Sequence, residues 1–347
     1  MHAANMPPEA AMTTRKFDHL VLSIVGGAVI ATGLAMLVNP QSGVTANPRV
    51  SFDQAHAESG HLNQGVQEVA PEEIEVAAGI SASSLREAQA LAERFETMGY
   101  RLEHIRENGA PVPRVFLAEM PRDLHAVPEV ALKKTAFFQT MLPLILQENE
   151  RILADRHRLI RLKAEQALGK PLAARDRLWL AVLADRYKVK DETLDKLLSR
   201  VDVIPPSLAM AQAAEESGWG TSRFAQHGNA IFGQWTTADG EGLIPEDRPE
   251  GMDHKVRAFD NLQQSVAAYM RNLNTHRAYA SLRRERAKLR QRGDALDGKE
   301  LAGTLTKYSE RGQEYVDSVR TIIDANGLRA LDDARLIADS ADDDQSV

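Results

Sequence analysis

The pattern of apolar and polar positions predicts a chain that is mainly helical. From residue 81 to 109, apolar residues recur at alternating spacings of three and four, which indicates an amphipathic helix opened by the capping box Ser84-x-x-Glu87. The same criteria and runs of good helix formers predict further helices at Val130–Leu162 (broken or bent at Pro143), Leu178–Tyr187, Thr193–Val201, Ser207–Ser217, Gln263–Leu273 and Glu314–Ala325. Between Thr236 and Val256, glycines, prolines and carboxylates interrupt any regular spacing of apolar residues. We therefore expect a turn-rich lobe with at most short strands there.

The amphipathic helix at 81–109 has two interpretations. Its apolar stripe could lie against the folded domain that follows. Alternatively, the heptad-like spacing could support a weak homodimer through residues 84–105, although three heptads are marginal as an isolated coiled coil.

The N-terminal part of the chain predicts export. Leu20 to Val38 contains no charged residue and follows Arg15-Lys16. Such a run predicts an anchor at 19–38 in the inner membrane, with residues 1–18 in the cytoplasm. The competing interpretation is a signal peptide cleaved near Val44-Thr45-Ala46. The composition of residues 39–80 is typical of a linker. The folded domain is predicted at residues 110–330, and an acidic, disordered tail is predicted at residues 331–347.

Composition excludes several classes of function. The 347 residues carry a net charge of −7. A nucleic-acid-binding protein would carry an excess of positive charge, so this class is disfavoured. The chain has no cysteine, so disulfides, thiol catalysis and thiolate metal sites are excluded. Neither an HExxH nor a GxSxG motif occurs. We therefore expect no metal and no cofactor.

One carboxylate is placed as a general acid would be. Gly218 and Gly220 end the predicted helix at Ser207–Ser217, so Glu216 falls in its last turn, beside the negative end of the helix dipole. The dipole and packing against Trp219 should both raise the pKa of Glu216. Glu215 is the rival, because helical geometry turns it about 100° away.

Several neighbours could support that acid or bind a sugar. Gln212 lies one turn earlier on the same face, where its amide could orient the carboxyl group. Trp219 and Trp235 could stack on sugar rings, and Asn229 could bind an acetamido group. Phe232 is expected in the core.

The motifs AAEESGWG at 213–220 and NAIFG at 229–233 resemble the glucosaminidase domain of glycoside hydrolase family 73, in particular its Bax-type members. The similarity extends over roughly residues 110–328, through VPRVFL at 112–117, NLNTHRAY at 272–279 and YSERG at 308–312. It implies a lysozyme-like α+β fold with a helical lobe and a small β-hairpin lobe. It also implies cleavage of bacterial peptidoglycan strands after N-acetylglucosamine, in the cell envelope facing the periplasm.

The resemblance also implies roles for particular residues. The family's catalytic glutamate maps to Glu216, although a second glutamate at position 215 departs from the usual pattern. Counting back from Val256 places the family's distal glutamate at Glu246, with Glu250 as the runner-up, and Tyr279 resembles its cleft tyrosine. A lytic transglycosylase or a non-catalytic wall-binding scaffold could use the same fold.

Overall fold

The computed structural model describes residues 87–191, 193–236, 242–245 and 255–338. These residues are mainly helical, as the sequence predicts. The α-helices are α1 (described for residues 87–97), α2 (Leu102–Asn108), α3 (Val130–Ala167), α4 (Ala174–Arg186), α5 (Leu194–Arg200), α6 (Pro206–Ser217), α7 (Arg223–Gly228), α8 (Leu262–Thr275), α9 (Ala280–Arg292), α10 (Gly298–Ala302) and α11 (Gln313–Ala325). Short 3-10 helices lie at Leu124–Ala126, Arg277–Tyr279 and Leu328–Leu331.

Helix α6 is the centre of the fold. It is surrounded by α3, α10, α11 and the 3-10 helix at Leu328–Leu331. Its small residues, from Ala209 to Ala214, are buried on every side of the helix. Small side chains let the neighbouring helices approach α6 closely. The predicted helix at Ser207–Ser217 and its end before Gly218 are confirmed, and Pro206 adds one residue at its start.

The start of α6 is held by contacts from distant parts of the chain. Asn149 of α3 exchanges two hydrogen bonds with the backbone of Ile204, at 2.8 and 3.2 Å. Asp332 accepts hydrogen bonds from the backbone and hydroxyl of Ser207, both at 2.8 Å. These contacts satisfy backbone groups that a helix start leaves unpaired, so they fix the position at which α6 begins. Because the helix is rigid, they also fix the position of its last turn.

A three-stranded antiparallel sheet follows α7. Its strands are β1 (Trp235–Thr236), β2 (Gly242–Leu243) and β3 (Lys255–Arg257), in the order β1-β3-β2. Gly242 lies so close to β3 that a Cβ atom there would come within 2.5 Å of the Val256 carbonyl oxygen, which only glycine tolerates. The expected lobe with short strands is confirmed for the described residues.

The amphipathic stretch at 81–109 is two helices rather than one. Gly99 adopts a left-handed conformation with φ of 69° and separates α1 from α2. The apolar stripe is buried inside the domain at Ala88, Phe95, Leu102 and Ile105. The first interpretation, a helix against the domain, is therefore confirmed. Met98 of the same stripe is 47% exposed, and the homodimer through 84–105 stays a prediction.

The C-terminal segment begins as packed structure. Leu331 and Leu336 are buried, and Leu336 forms a parallel bridge with Val112. The prediction that a disordered tail begins at 331 is therefore wrong for residues 331–338, because their few apolar side chains reach the core. The rest of the tail lies outside the described residues.

The predicted membrane or signal segment at 19–38 and the linker at 39–80 also lie outside the described residues. Among the helices of the described ranges, none combines the length and apolar character needed to cross a bilayer.

Candidate active site

Glu216 occupies the last turn of α6 and is almost fully buried. Its exposed fraction is 9%, and the helix ends one residue later at Ser217, followed by Gly218, whose φ of 56° is left-handed. The C-terminal carbonyl groups of the helix point toward this end and disfavour a negative charge there. A buried carboxyl group in this position needs a hydrogen-bond partner.

Tyr315 of α11 supplies that partner. Its hydroxyl group donates a hydrogen bond to the Glu216 carboxylate. The same hydroxyl oxygen accepts a hydrogen bond from Gln212 Nε2 at 2.8 Å, and Gln212 Oε1 accepts one from the Tyr269 hydroxyl at 2.7 Å. A chain of three buried side chains thus runs from α8 through α6 to α11 and ends on the acid.

Burial and, to a smaller extent, the neighbouring charge of Glu215 raise the pKa of Glu216, which reaches about 8. The hydrogen bond from Tyr315 and the charge of Arg311 lower this pKa. Desolvation is the larger effect, so the Glu216 carboxyl group is mostly protonated at neutral pH.

Four tyrosines surround the acid. Tyr308 stacks on Tyr315 with ring centroids 5.2 Å apart, and Tyr279 lies 5.6 Å from Tyr308. Tyr269 stacks on Phe232 at 3.8 Å. Burial, together with the nearby Glu216 charge, raises the pKa of each of the four phenols above its ordinary value. The phenols therefore remain neutral donors at neutral pH.

Glu215 has a different environment from its neighbour. Arg311 Nη1 lies 2.6 Å from one of its carboxylate oxygens, and the Ser318 hydroxyl donates to the other at 2.9 Å. Both oxygens of the Glu215 carboxylate are thus engaged by other side chains. The adjacent glutamates therefore separate into an ion-paired group and a buried group with a raised pKa.

Two comparisons with known proteins place the chain in a family. Residues 192–328 match the glucosaminidase family, described as mannosyl-glycoprotein endo-beta-N-acetylglucosaminidase. The chain is also 36% identical over 202 residues to Protein bax of Escherichia coli strain K12, covering 56% of this chain and 69% of that protein.

The chain belongs to the Bax-type glucosaminidase-domain proteins. Among solved structures, no match was found. Membership in this family makes the chain a glycosidase-domain protein in general terms.

The structure gives two of the predicted sugar-binding residues structural roles in this glucosaminidase domain. Trp219 is buried, with its ring 5.3 Å from Phe138 and 6.0 Å from Phe137, and Lys134 Nζ lies 4.6 Å above the ring. Its ring has no free face for a sugar, because α3 covers it. Asn229 is buried at the end of α7, where its amide donates to the Phe259 carbonyl oxygen at 3.1 Å.

Gln212 and Tyr279 lie at the site but are buried. Gln212 is fully buried, so it contacts the acid through Tyr315 and is not exposed to a substrate. Tyr279 is also buried, beside Tyr308. Trp235, on β1, is half-buried. Its role in sugar binding stays a prediction, as does that of Glu246, which lies outside the described residues together with Glu250.

The sequence did not reveal the role of Tyr315. The sequence analysis assigns no role to Tyr315 or to Tyr269. A buried tyrosine hydroxyl usually needs a hydrogen-bond partner, which was the available signal, but the partner lies 103 positions away at Gln212.

Proposed function

We propose that the chain is a peptidoglycan hydrolase, an endo-β-N-acetylglucosaminidase that cleaves the glycosidic bond after N-acetylglucosamine. The observation that carries the proposal is the burial of Glu216 in the last turn of α6, which raises its pKa to about 8. A general acid for a glycosidic oxygen has to hold its proton at working pH, and burial gives Glu216 that property.

In this scheme Glu216 donates its proton to the glycosidic oxygen as the bond from C1 to that oxygen breaks. The leaving sugar departs as an alcohol, and Glu216 becomes a carboxylate. The Tyr315 hydroxyl stabilises the new charge, because its hydrogen bond lowers the pKa of Glu216. Gln212 is a positioning residue, since it holds the oxygen of Tyr315 at 2.8 Å.

A second carboxylate completes the proposed reaction. We assign Glu246 to hold the attacking water, with Glu250 as the alternative and the substrate's own acetamido group as a third route. Inverting enzymes place two carboxyl groups about 6.5–9.5 Å apart to accommodate such a water. Glu215 does not fit this role, because its carboxylate is engaged by Arg311 and Ser318.

We propose a lysozyme-like architecture for the domain. Support comes from a central buried helix that ends in the acid, followed in sequence by a small antiparallel sheet. We further propose that the apolar segment at 19–38 either anchors the chain in the inner membrane or directs its export. The domain would then face the periplasm, where peptidoglycan lies.

The test is digestion of purified peptidoglycan by the full chain, with mass spectrometry of the released fragments and Glu216→Gln as the control. We expect fragments with reducing N-acetylglucosamine ends from the wild type and none from the variant. Anhydro-muramyl ends would instead assign a lytic transglycosylase. Binding to cell-wall sacculi without any cleavage would contradict the enzymatic proposal and favour a scaffold.

A further inference from the structure

A strongly basic part of the structure lies outside the candidate site. Residues 151–190, which we call the basic hairpin, comprise the second half of α3, the turn after it, and α4 with the loop that follows. This segment contains eleven Lys and Arg residues against four Asp and Glu residues, a formal charge of +7 in a chain whose net charge is −7. It also precedes the region that matches the glucosaminidase family at 192–328.

The basic hairpin exposes large apolar side chains. Leu168, at its turn, is 73% exposed, and Leu178 and Val182, one turn apart on α4, are 69% and 53% exposed. Ile160 of α3 is 48% exposed. A single exposed leucine is ordinary, but four large apolar residues in one hairpin indicate a contact surface.

The inner face of α4 explains why these residues point outward. Leu180 and Leu183 are buried on the side of α4 that packs onto the rest of the chain. Trp179 is covered by the Arg158 guanidinium at 4.2 Å, and Arg158 pairs with Asp176 at 2.7 Å. Helical spacing then leaves Leu178 and Val182 on the opposite face.

Several cations of the basic hairpin are available to an anionic partner. Lys170, Arg177, Lys188 and Lys190 are exposed, and no ion pair engages any of them within the described ranges. Lys170 follows Leu168 in the same turn, and Arg177 precedes Leu178. Cations and large apolar groups therefore alternate at the end of the hairpin.

We propose that the basic hairpin docks on an anionic phospholipid surface. The cations match the lipid phosphate groups, and the leucines can enter the boundary between headgroups and acyl chains. An anionic glycan or peptide would match the charge but would leave the leucines exposed to water, which is why lipid is the better fit. The proposal does not depend on the reaction proposed above.

The test uses the absence of native cysteine in the full chain. Leu168→Cys carries an environment-sensitive fluorophore, and Met98→Cys, which replaces a side chain that is 47% exposed on another surface, carries the same label as the matched control. The probes are phosphatidylglycerol vesicles and phosphatidylcholine vesicles. We expect a blue-shifted, stronger emission from position 168 with phosphatidylglycerol only, weakened by salt, and no change from position 98.

A charge variant provides the second measurement. Lys170→Gln with Arg177→Gln, in the labelled chain, should raise the lipid concentration at half-maximal response on the order of 30-fold. Arg284→Gln with Lys307→Gln removes two exposed cations outside the basic hairpin and should leave this concentration unchanged. Equal melting temperatures exclude a folding defect.

Three results would overturn the proposal. The first is no response at position 168, or equal responses at both labelled positions. The second is a response to peptidoglycan sacculi but not to vesicles, which would assign the surface to the cell wall. The third is a response that grows with protein concentration without lipid, which would assign it to a second copy of the chain.

Discussion

Gln212 donates a hydrogen bond to the Tyr315 hydroxyl across 2.8 Å, joining residues that are 103 positions apart in the chain. Because the same hydroxyl group donates to Glu216, the orientation of the acid depends on α11 as well as on its own helix. The buried amide and phenol satisfy each other, which accounts for the burial of these two polar side chains.

Removing the Tyr315 hydroxyl group should move the pH dependence of cleavage. The hydrogen bond from Tyr315 lowers the pKa of Glu216, so Tyr315→Phe should raise that pKa above about 8. Activity requires the protonated acid and is lost as pH rises through its pKa. The alkaline limb of the rate profile should therefore shift to higher pH. The rate at neutral pH should fall roughly 10- to 100-fold, as expected for a lost hydrogen bond to a developing charge.

Tyr100→Phe is the matched control for this measurement. The Tyr100 hydroxyl is also buried and donates to the Gln139 carbonyl oxygen at 3.0 Å, outside the candidate site. It should cost about 1 kcal/mol of stability and leave the alkaline limb in place. An equal shift in both variants would show that the effect is structural.

The buried acid should make stability depend on pH. The pKa of Glu216 is raised from 4.5 to about 8 in the folded state, so its contribution is fully present below about pH 4.5 and is lost as pH rises toward 8. Glu216→Gln removes this dependence. The melting temperature of the variant minus that of the wild type should therefore become larger as the pH is raised from 5 to 8.5. A constant difference across this pH range would contradict a raised pKa.

Glu215→Gln should affect stability more than chemistry. The Glu215–Arg311 pair is partly shielded from solvent, with side chains 16% and 19% exposed, so its loss should cost about 1–2 kcal/mol of the free energy of unfolding. Without Glu215, the Arg311 charge acts more strongly on Glu216 and lowers its pKa. The alkaline limb should move to lower pH, opposite to Tyr315→Phe. A shift in the same direction would refute this electrostatic account.

Trp219→Phe tests the structural role assigned to that side chain. The smaller phenyl ring leaves space beside Phe137 and Phe138, and the indole ring that Lys134 covers is lost. We therefore expect the free energy of unfolding, measured with denaturant, to fall by about 1–3 kcal/mol. Because the ring is buried, KM for peptidoglycan fragments should not change. A higher KM with unchanged stability would restore the original prediction of sugar stacking.

Local signals explain which parts of the structure the sequence predicts well. Helix α6 has Pro205-Pro206 at one end and Gly218 at the other, and both act through neighbouring backbone geometry. The position of Glu216 in the last turn follows directly. The preference for Glu216 over Glu215 agrees with their separate environments, although the catalytic role itself stays a prediction.

Long-range packing explains the parts that the sequence misses. Whether Trp219 faces a sugar or the core depends on α3, which lies some eighty positions earlier in the chain. The sequence analysis did not predict helix α9. Its few apolar residues lie in a run rich in arginine, which makes their helical spacing hard to recognise. Arg286 in that helix is fully buried and donates to the carbonyl oxygens of Asp202 and Val203, a role that no local pattern indicates.

The most direct test of the account compares Glu216→Gln with Glu215→Gln on purified peptidoglycan at neutral pH, with sacculus binding measured in parallel. The account predicts that Glu216→Gln lowers the rate of fragment release by about 100- to 10,000-fold, the range expected for a lost general acid, while binding persists. Glu215→Gln should retain a rate within about tenfold of wild type. A Glu216→Gln variant that still cleaves, or a Glu215→Gln variant that alone is inactive, would contradict the assignment of Glu216 as the acid.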